Sequence, residues 1–205
     1  MKVKKWAYPF AILTFAIFLT MAFNFKKTSF EEFDERIASV LRGNELLGLF
    51  HYLGETVFVV FVALILILFL WIRKHNYHGM MFVLLSLAGG TAINNLIKNY
   101  VERPRPEIVD QLSSYSFPSG HSQMSVLYLL TLAYIFNELT TSKKKALIAW
   151  TVAIVLFICI GLARIAESRH FATDVLAGWS LGYTWFVVCV MWYESRKRKV
   201  KRLNS

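Results

Sequence analysis

Cysteine, proline and charged residues are all scarce in this chain of 205 residues. Two cysteines exclude the disulfide framework of a small secreted domain, and four prolines with no low-complexity tract give no sign of a disordered linker. Both Cys159 and Cys189 lie in apolar runs, where we expect small buried side chains. Charged residues make up 18% of the chain and hydrophobic residues 56%. This composition is typical of a protein that lies mostly in lipid.

Six long apolar runs each approach the roughly 20 residues that a helix needs to cross a bilayer. They cover about 5–23, 54–72, 79–98, 121–139, 146–164 and 173–193. The first run follows a basic start, as a signal peptide does, but the residues from Met21 to Phe25 lack the small-residue cleavage pattern. The sequence therefore predicts an all-α bundle of six transmembrane helices, with residues 1–205 forming a single membrane-embedded domain.

The net charge of +10 is unevenly distributed along the chain. Fourteen of the 23 basic residues lie in four clusters at the ends of apolar runs: Lys2, Lys4 and Lys5; Arg73 and Lys74; 143–145; and 196–202. Because Lys and Arg accumulate in cytoplasmic loops, this pattern predicts a multi-pass protein of the cell membrane with both termini in the cytoplasm. Nucleic-acid binding is not expected, since no soluble domain is available to carry a basic surface. Nothing indicates an obligate protein partner.

The segment of about 28–50, between the first two runs, has helical periodicity and falls outside the membrane. Its apolar residues share one face: Phe30, Phe33, Ile37, Val40 and Leu41. The polar residues Glu31, Glu32, Asp34, Glu35 and Arg36 are assigned to the rest of the helix. This pattern predicts an extracytoplasmic interfacial helix that lies on the lipid. A lid that controls lipid entry is the alternative.

Six ionisable residues fall at the outer ends of the predicted spans: Lys98, Arg105, His121, Arg164, His170 and Asp174. A single charge near a helix end is commonly a snorkelling residue with no further role. Two histidines, one acid and three bases at the same level are different, because uncompensated ionisable groups near hydrocarbon are costly. Their convergence predicts a functional site on the outer face.

Three motifs contain these residues. Lys98 is followed after six residues by Arg105-Pro106; Pro118-Ser119-Gly120-His121 comes next; Arg164, His170 and Asp174 are separated by five and three residues. In this order they resemble the type 2 phosphatidic acid phosphatase superfamily, over about 79–193. The chain is most similar to the bacterial B-type phosphatidylglycerophosphatases and undecaprenyl pyrophosphate phosphatases. Ala163 departs from the serine that usually precedes the arginine of the third motif.

Arg103-Pro104 offers a second Arg-Pro pair, but only four residues separate it from Lys98. The spacing therefore favours Arg105 as the arginine of the first motif.

The chemistry of the residues agrees with the resemblance. His170 and Asp174 are four residues apart, so on a helix the carboxylate can accept the Nδ1 proton and leave Nε2 free to attack phosphorus. The alternative is a surface pair. The resemblance implies a phosphohistidine intermediate, with His121 as the general acid and then the general base.

The remaining motif residues suit phosphate binding. Ser119 is expected to cap a helix whose first amides, with Gly120, face the anion. Lys98, Arg105 and Arg164 supply positive charge. No metal or other cofactor is expected, because Glu102, Glu107 and Asp110 stand without histidine partners.

The expected function is hydrolysis of a membrane lipid phosphate monoester or pyrophosphate. Phosphatidylglycerophosphate is the first candidate substrate, and undecaprenyl pyrophosphate is the alternative. A membrane transporter is the rival from another class, but it predicts charges near the middle of the bilayer, where mainly Thr91, Asn94 and Asn95 lie.

Overall fold

The computed structural model describes residues 7–107 and 114–203, and within these ranges all regular structure is helical. The helices are α1 (Ala7–Asn24), α2 (Thr28–Leu41), α3 (Glu45–Gly48), α4 (Thr56–Lys74), α5 (Tyr77–Leu84), α6 (Gly90–Val101), α7 (Gly120–Leu139), α8 (Lys143–Ala166) and α9 (Ala172–Leu203). One π turn, Leu85–Gly89, joins α5 to α6, and a 3-10 helix, Leu49–Gly54, precedes α4. Lys2, Lys4, Lys5 and Asp110 lie outside the described residues.

Short polar side chains begin several of these helices. The side chains of Asn76, Ser119 and Ser142 accept hydrogen bonds from the backbone amides of Gly79, Ser122 and Lys145, respectively. Each of these bonds satisfies one of the amides that the first turn of a helix leaves without a partner. The cap at Ser119 was predicted from the sequence and is confirmed.

Five of the six predicted spans are helices long and apolar enough to cross a membrane: Ala7–Asn24, Thr56–Arg73, Tyr77–Val101, Lys143–Ala166 and Ala172–Val200. The prediction of six spans is therefore met only in part: the predicted run 121–139 corresponds to α7, which is not one of these five helices. Ser122, Gln123, Ser125 and Thr131 of α7 are all buried. Since other helices enclose α7, it can carry polar residues that a lipid-facing helix would not.

The core lies around α7, which packs against α8 and α9. Four aromatic rings contact one another within it: those of Phe82, Tyr134, Phe186 and Tyr193. They come from α5, α7 and α9, so one aromatic cluster links three helices. Such rings add favourable pair geometry to the large apolar area that they bury.

Two glycines allow α9 to approach α7 closely. A Cβ atom added to Gly178 would lie 2.6 Å from the backbone oxygen of Ser119, and one added to Gly182 would lie 2.9 Å from that of Gln123. The four-residue spacing of the glycines is the small-residue pattern that brings membrane helices together. Next to this contact, the Ser119 amide donates a hydrogen bond of 3.0 Å to the Asp174 carbonyl. The first turns of α7 and α9 are thereby fixed side by side.

The predicted interfacial helix of 28–50 is not one continuous helix. It consists of α2, α3 and the start of the 3-10 helix, with a turn at Gly43, whose φ is +78°. Val40 faces outward, whereas Ile37 and Leu41 pack against Ile165 and Val175 of the bundle. The apolar face of α2 is therefore covered in part by protein and not only by lipid.

Asp34 was assigned to the polar part of this helix, and that assignment is wrong: only 3% of the residue is exposed. It lies four residues after Phe30 and three before Ile37, which places it within the apolar stripe. A charge at such a position needs a partner, and the partner is part of the site described below.

We predict that Gly178→Ala lowers both the thermal stability and the activity of the protein. The added methyl group meets backbone, which cannot rotate away, so α9 must move from α7. We expect a loss of about 1–3 kcal/mol, the usual cost of overpacking. The thermal midpoint in detergent measures it.

The control is Gly48→Ala, because a Cβ atom there would meet no atom within 4 Å. Equal midpoints for Gly178→Ala and the wild type would contradict the close contact of α7 and α9.

Candidate active site

Four helix ends bring the three sequence motifs together at one end of the bundle. Lys98 lies in the last turn of α6, His121 in the first turn of α7 and Arg164 in the last turn of α8. His170 comes just before α9, and Asp174 lies in its first turn. The predicted convergence of these residues is therefore present in the fold.

The imidazole of His170 is held from both sides. Its Nδ1 lies 3.4 Å from Oδ2 of Asp174, and its Nε2 lies 3.2 Å from Nη1 of Arg105. A guanidinium can only donate, so Nε2 must be the acceptor and carries no proton. The proton is then on Nδ1, directed at the carboxylate. This is the tautomer that a nucleophilic Nε2 requires.

His170 is almost completely buried, and this burial lowers its pKa to about 3, since a charged imidazolium would lose its hydration there. The nearby positive charges of Arg105 and Lys98 act in the same direction, whereas Asp174 opposes them. The ring is consequently neutral at physiological pH and keeps the lone pair that nucleophilic attack needs.

Several hydrogen bonds hold Arg105 in place. Its Nε donates to the Ser114 carbonyl at 2.7 Å, its Nη2 to the Ser114 hydroxyl at 2.9 Å and its Nη1 to the Arg169 carbonyl at 2.8 Å. Nη1 also makes the contact to His170 described above. Burial, together with the positive charge of Arg164, lowers the pKa of Arg105 below its usual value. The two guanidinium groups thus belong to one positively charged region.

Lys98 is buried beside the segment that precedes α7. Its Nζ donates to the Tyr115 carbonyl at 2.5 Å and to the Ser116 carbonyl at 3.4 Å. The ammonium group therefore supports the loop that leads to Ser119 while its charge remains close to His170.

The second histidine, His121, has its own carboxylate partner. Its Nε2 lies 3.3 Å from Oε1 of Glu55, the residue that precedes α4. Gly54 lies against the same ring, because a Cβ atom there would come 2.7 Å from Cδ2 of His121. Sequence reasoning did not identify Glu55, although its position at the start of the second apolar run placed it at the same level as the motifs.

Gly120 is less crowded than Gly54. A Cβ atom on Gly120 would make an ordinary contact of 3.5 Å with Oδ1 of Asn94. Protein packing therefore does not require glycine at this position, and its predicted role of admitting a phosphate stays a prediction.

Arg164 belongs to a small polar cluster that was also missed. Its Nη1 donates to Oε2 of Glu167 at 2.6 Å, and Oε1 of Glu167 lies 2.6 Å from Nδ1 of His51. The Nε atom of Arg164 is buried and has no hydrogen-bond partner within the part of the chain that the structure describes. Arg164 is not among the residues that line the two cavities described below. Ala163, next to it, is fully buried.

Arg103, which the spacing argument set aside in favour of Arg105, also belongs to the site. Its Nη1 donates to Oδ1 of Asp174 at 2.7 Å, and its Nη2 donates to Oδ2 of Asp34 at 2.8 Å. Both arginines of the Arg-Pro-Arg-Pro sequence therefore have a place: Arg105 contacts the ring of His170, and Arg103 contacts the carboxylate behind it. The repeated Arg-Pro pair was the signal for this residue.

Two cavities meet at His170 and Arg105, which line both. One, of about 490 Å³, also contains Lys98, Gly120 and His121 at one end and is lined for the rest mainly by apolar side chains of α4 to α7. The other, of about 880 Å³, lies between α2 and the loop after α6 and is lined mainly by polar residues, among them Lys26, Glu31 and Arg42. The candidate nucleophile thus lines both a cavity of mainly apolar residues and a cavity with many charged residues.

Within 7–107 and 114–203, no group of three or more His, Cys, Asp or Glu side chains is arranged to hold a metal ion. Lys98, Arg103, Arg105 and Arg164 carry positive charge at this end of the bundle. The predicted absence of a metal or other cofactor stays a prediction.

Comparison with known proteins identifies similar chains. A model of the PAP2 superfamily matches residues 79–198. Phosphatidylglycerophosphatase B of Bacillus subtilis (strain 168) is 28% identical over 193 residues, which are 90% of this chain and 95% of that protein. Lipid A 4'-phosphatase of Francisella tularensis subsp. novicida (strain U112) is 28% identical over 174 residues, 71% of this chain and 76% of that one.

Among solved structures, the crystal structure of a transmembrane PAP2-type phosphatidylglycerolphosphate phosphatase from Bacillus subtilis is similar, with a TM-score of 0.82 and 26% identity. The superposed region covers 90% of this chain and 96% of the Bacillus subtilis chain. The whole bundle, and not only the motif region, therefore has this likeness.

We predict that acid destabilises the protein in part through His170. The unfolded chain binds a proton at this histidine below about pH 6.5, whereas the folded protein resists it until about pH 3. The contribution of neutral His170 to the free energy of unfolding is therefore complete above about pH 6.5. This contribution is lost as the pH falls toward 3, by up to about 1.4 kcal/mol per pH unit. Thermal midpoints between pH 7 and 4 should fall less steeply for His170→Asn than for the wild type. Parallel curves would contradict this assignment.

Proposed function

Because the chain belongs to the PAP2 superfamily, we propose that it is an integral membrane lipid phosphatase that acts through a phosphohistidine at His170. The observation that carries this proposal is the apolar cavity, which ends at His170, His121, Lys98 and Arg105. A soluble phosphate ester would have no use for a long apolar approach to these polar groups. A lipid can place its tail along the cavity and its phosphate among the charges.

The cavity opens toward the surrounding lipid. Val60 of α4 and Leu84 of α5 both line it, and both are exposed, at 50% and 46%. In a bilayer these side chains face acyl chains. The lipid can therefore enter sideways between α4 and α5, so that its apolar part is never exposed to water.

In the first half of the reaction, the Nε2 lone pair of His170 attacks phosphorus. The bond from phosphorus to the lipid oxygen breaks as the new N–P bond forms, and His121 donates a proton to the departing oxygen. Nδ1 keeps its proton and donates a hydrogen bond to Asp174, whose carboxylate balances the positive charge that develops on the ring. Glu55 can stabilise the protonated form of His121 before this transfer.

In the second half, water attacks the phosphohistidine. His121, now unprotonated, accepts a proton from this water, the N–P bond breaks, and inorganic phosphate leaves His170 neutral again. Arg105, Lys98 and Arg164 stabilise the charge on the phosphoryl oxygens in both halves. Ser119 and Gly120 hold the start of α7 against the same oxygens.

The orientation that we propose follows from the basic clusters. Arg73, Lys74 and the runs 143–145 and 196–202 lie at the ends of α4, α8 and α9 that are remote from the site. The positive-inside rule then places the site on the outer face of the cell membrane and both termini in the cytoplasm. We propose α7 as the sixth span, because it connects the outer site to the inner end of the bundle.

For the substrate, we propose phosphatidylglycerophosphate, which would give phosphatidylglycerol. The support is the similarity in sequence and fold to a phosphatidylglycerolphosphate phosphatase over nine tenths of the chain. Undecaprenyl pyrophosphate is the alternative, because a site on the outer face suits a polyprenyl carrier that is released there.

We predict that His170→Ala lowers phosphate release by at least about a thousand-fold, because the nucleophile itself is lost. The wild type, mixed with labelled substrate and quenched, should carry phosphate on an N–P bond that is stable in base and labile in acid. His78→Gln, a histidine at the start of α5, is the matched control and should keep wild-type turnover. Full activity of His170→Ala would refute the mechanism.

We predict that phosphatidylglycerophosphate gives the highest kcat/KM in a panel with phosphatidic acid, undecaprenyl pyrophosphate and a lipid A phosphate. The assay uses purified protein in mixed micelles with EDTA present, since Lys98, Arg105 and Arg164 are expected to replace a metal ion. Activity that disappears in EDTA and returns with magnesium would contradict the predicted metal independence. A preference for undecaprenyl pyrophosphate would transfer the assignment to the alternative.

A further inference from the structure

Arg103 links two carboxylates that are far apart in sequence. One nitrogen, Nη1, donates to Asp174 at 2.7 Å and to the hydroxyl of Thr173 at 2.7 Å, while Nη2 donates to Asp34 at 2.8 Å. The guanidinium also lies over two rings, with its carbon 4.7 Å from the centre of Phe25 and 4.0 Å from that of Phe171. These contacts fix both the plane and the direction of its fork.

The contact to Asp174 determines how that carboxylate meets the nucleophile. Oδ1 faces Arg103, so Oδ2 faces the amide of Phe171 at 3.0 Å and Nδ1 of His170 at 3.4 Å. Asp174 is completely buried. Without Arg103 it would be a buried anion with an unsatisfied oxygen, and its rotation would no longer be fixed. The orientation of His170 thus depends on Arg103.

Asp34 supports the same arrangement from α2. Its Oδ2 accepts from Arg103 and from the Thr173 hydroxyl at 2.8 Å, and its Oδ1 accepts from the Thr173 amide at 2.7 Å. Thr173 lies in the first turn of α9, where backbone amides lack partners within the helix. Asp34 therefore caps, from another helix, the helix that carries Asp174, and it also balances the charge of Arg103.

Because Asp34 belongs to α2, the position of α2 bears on the site. This helix lies over the polar cavity, which both Arg103 and His170 line. It rests on the bundle through Ile37, Ala38 and Leu41, which pack around Ile165, Ala172 and Val175. If α2 moved away, Asp34 would leave Arg103 and Thr173 together.

We propose that Asp34 and Arg103 are positioning residues, and that α2 must be docked through Asp34 for Asp174 to hold His170 in its attacking orientation. This inference rests on the proposed function. It makes α2 a part of the catalytic arrangement and not only an interfacial anchor. Neither residue needs to touch the substrate, so the effect of their loss should appear in turnover and not in substrate affinity.

The test is Asp34→Asn, which keeps the shape of the side chain and removes its charge. We expect kcat to fall on the order of 10-fold or more, as for other residues that orient a reacting group, with KM changed less than about threefold. Arg103→Gln should lower kcat similarly, and the double variant should be no worse than the more impaired single one, because the two residues act in series.

Glu31→Gln is the matched control. Glu31 lies on the same helix and lines the same cavity, and within the described residues its carboxylate makes no ion pair. It should keep wild-type kcat. Thr173→Val, which removes the shared hydroxyl and leaves both charges, is the second variant if Asp34→Asn does not fold; it should lower kcat with KM unchanged.

A readout without substrate separates this inference from the proposed function. Diethylpyrocarbonate modifies accessible neutral imidazoles, and mass spectrometry gives the rate at His170. We expect Asp34→Asn to raise this rate several-fold, because α2 would no longer be held over the cavity that leads to the ring, and Glu31→Gln to leave it unchanged. A wild type that hydrolyses no lipid phosphate would refute the proposed function. The inference would be overturned if Asp34→Asn kept the wild-type kcat, or if Glu31→Gln had an effect equal to that of Asp34→Asn. If the enzyme is inactive, an unchanged modification rate of His170 in Asp34→Asn would overturn it.

Discussion

The carboxylate of Asp174 is an anion enclosed by protein at the end of an apolar bundle, and the guanidinium of Arg103 is what makes that position tenable. A buried charge without a partner is so costly that the surrounding structure has to supply one. The loop after α6 brings Arg103 to Asp174, α2 brings Asp34 to Arg103, and the first turn of α9 receives its cap from Asp34. The contacts that compensate the buried charge of Asp174 thus hold three segments from different parts of the chain in place.

Much of the fold could be predicted because its determinants are local. An apolar run has the length of a span whatever lies beside it, so the positions of α1, α4, α5 with α6, α8 and α9 follow from the sequence. The pairing of His170 with Asp174 also follows from a spacing of four residues. The meeting of Lys98, Arg105, His121 and Arg164 could be predicted because helices that cross the same layer have their outer ends at about the same level.

The parts that could not be predicted depend on which side chain meets which across the fold. Spacing could rank Arg105 above Arg103, but it could not show that both are used, one on each side of His170. The four acids of α2 look alike in the sequence, and only the position of Asp34 within the apolar stripe distinguishes it. Likewise, the polar residues of α7 are buried against neighbouring helices, so a prediction from its composition alone would place it nearer the surface than it lies. Tertiary contact decides each of these cases.

The two cavities that share His170 and Arg105 have a consequence for how matter passes through the protein. Under the proposed function, one cavity would border acyl chains and the other water, so the phosphorus atom would lie between two immiscible phases. An oily reactant can stay dissolved in its own phase while water arrives from the other side. A released phosphate ion has a hydrated route away that does not retrace the path of the lipid. The proposed reaction would thereby move phosphate from the lipid to water without either phase having to penetrate the other.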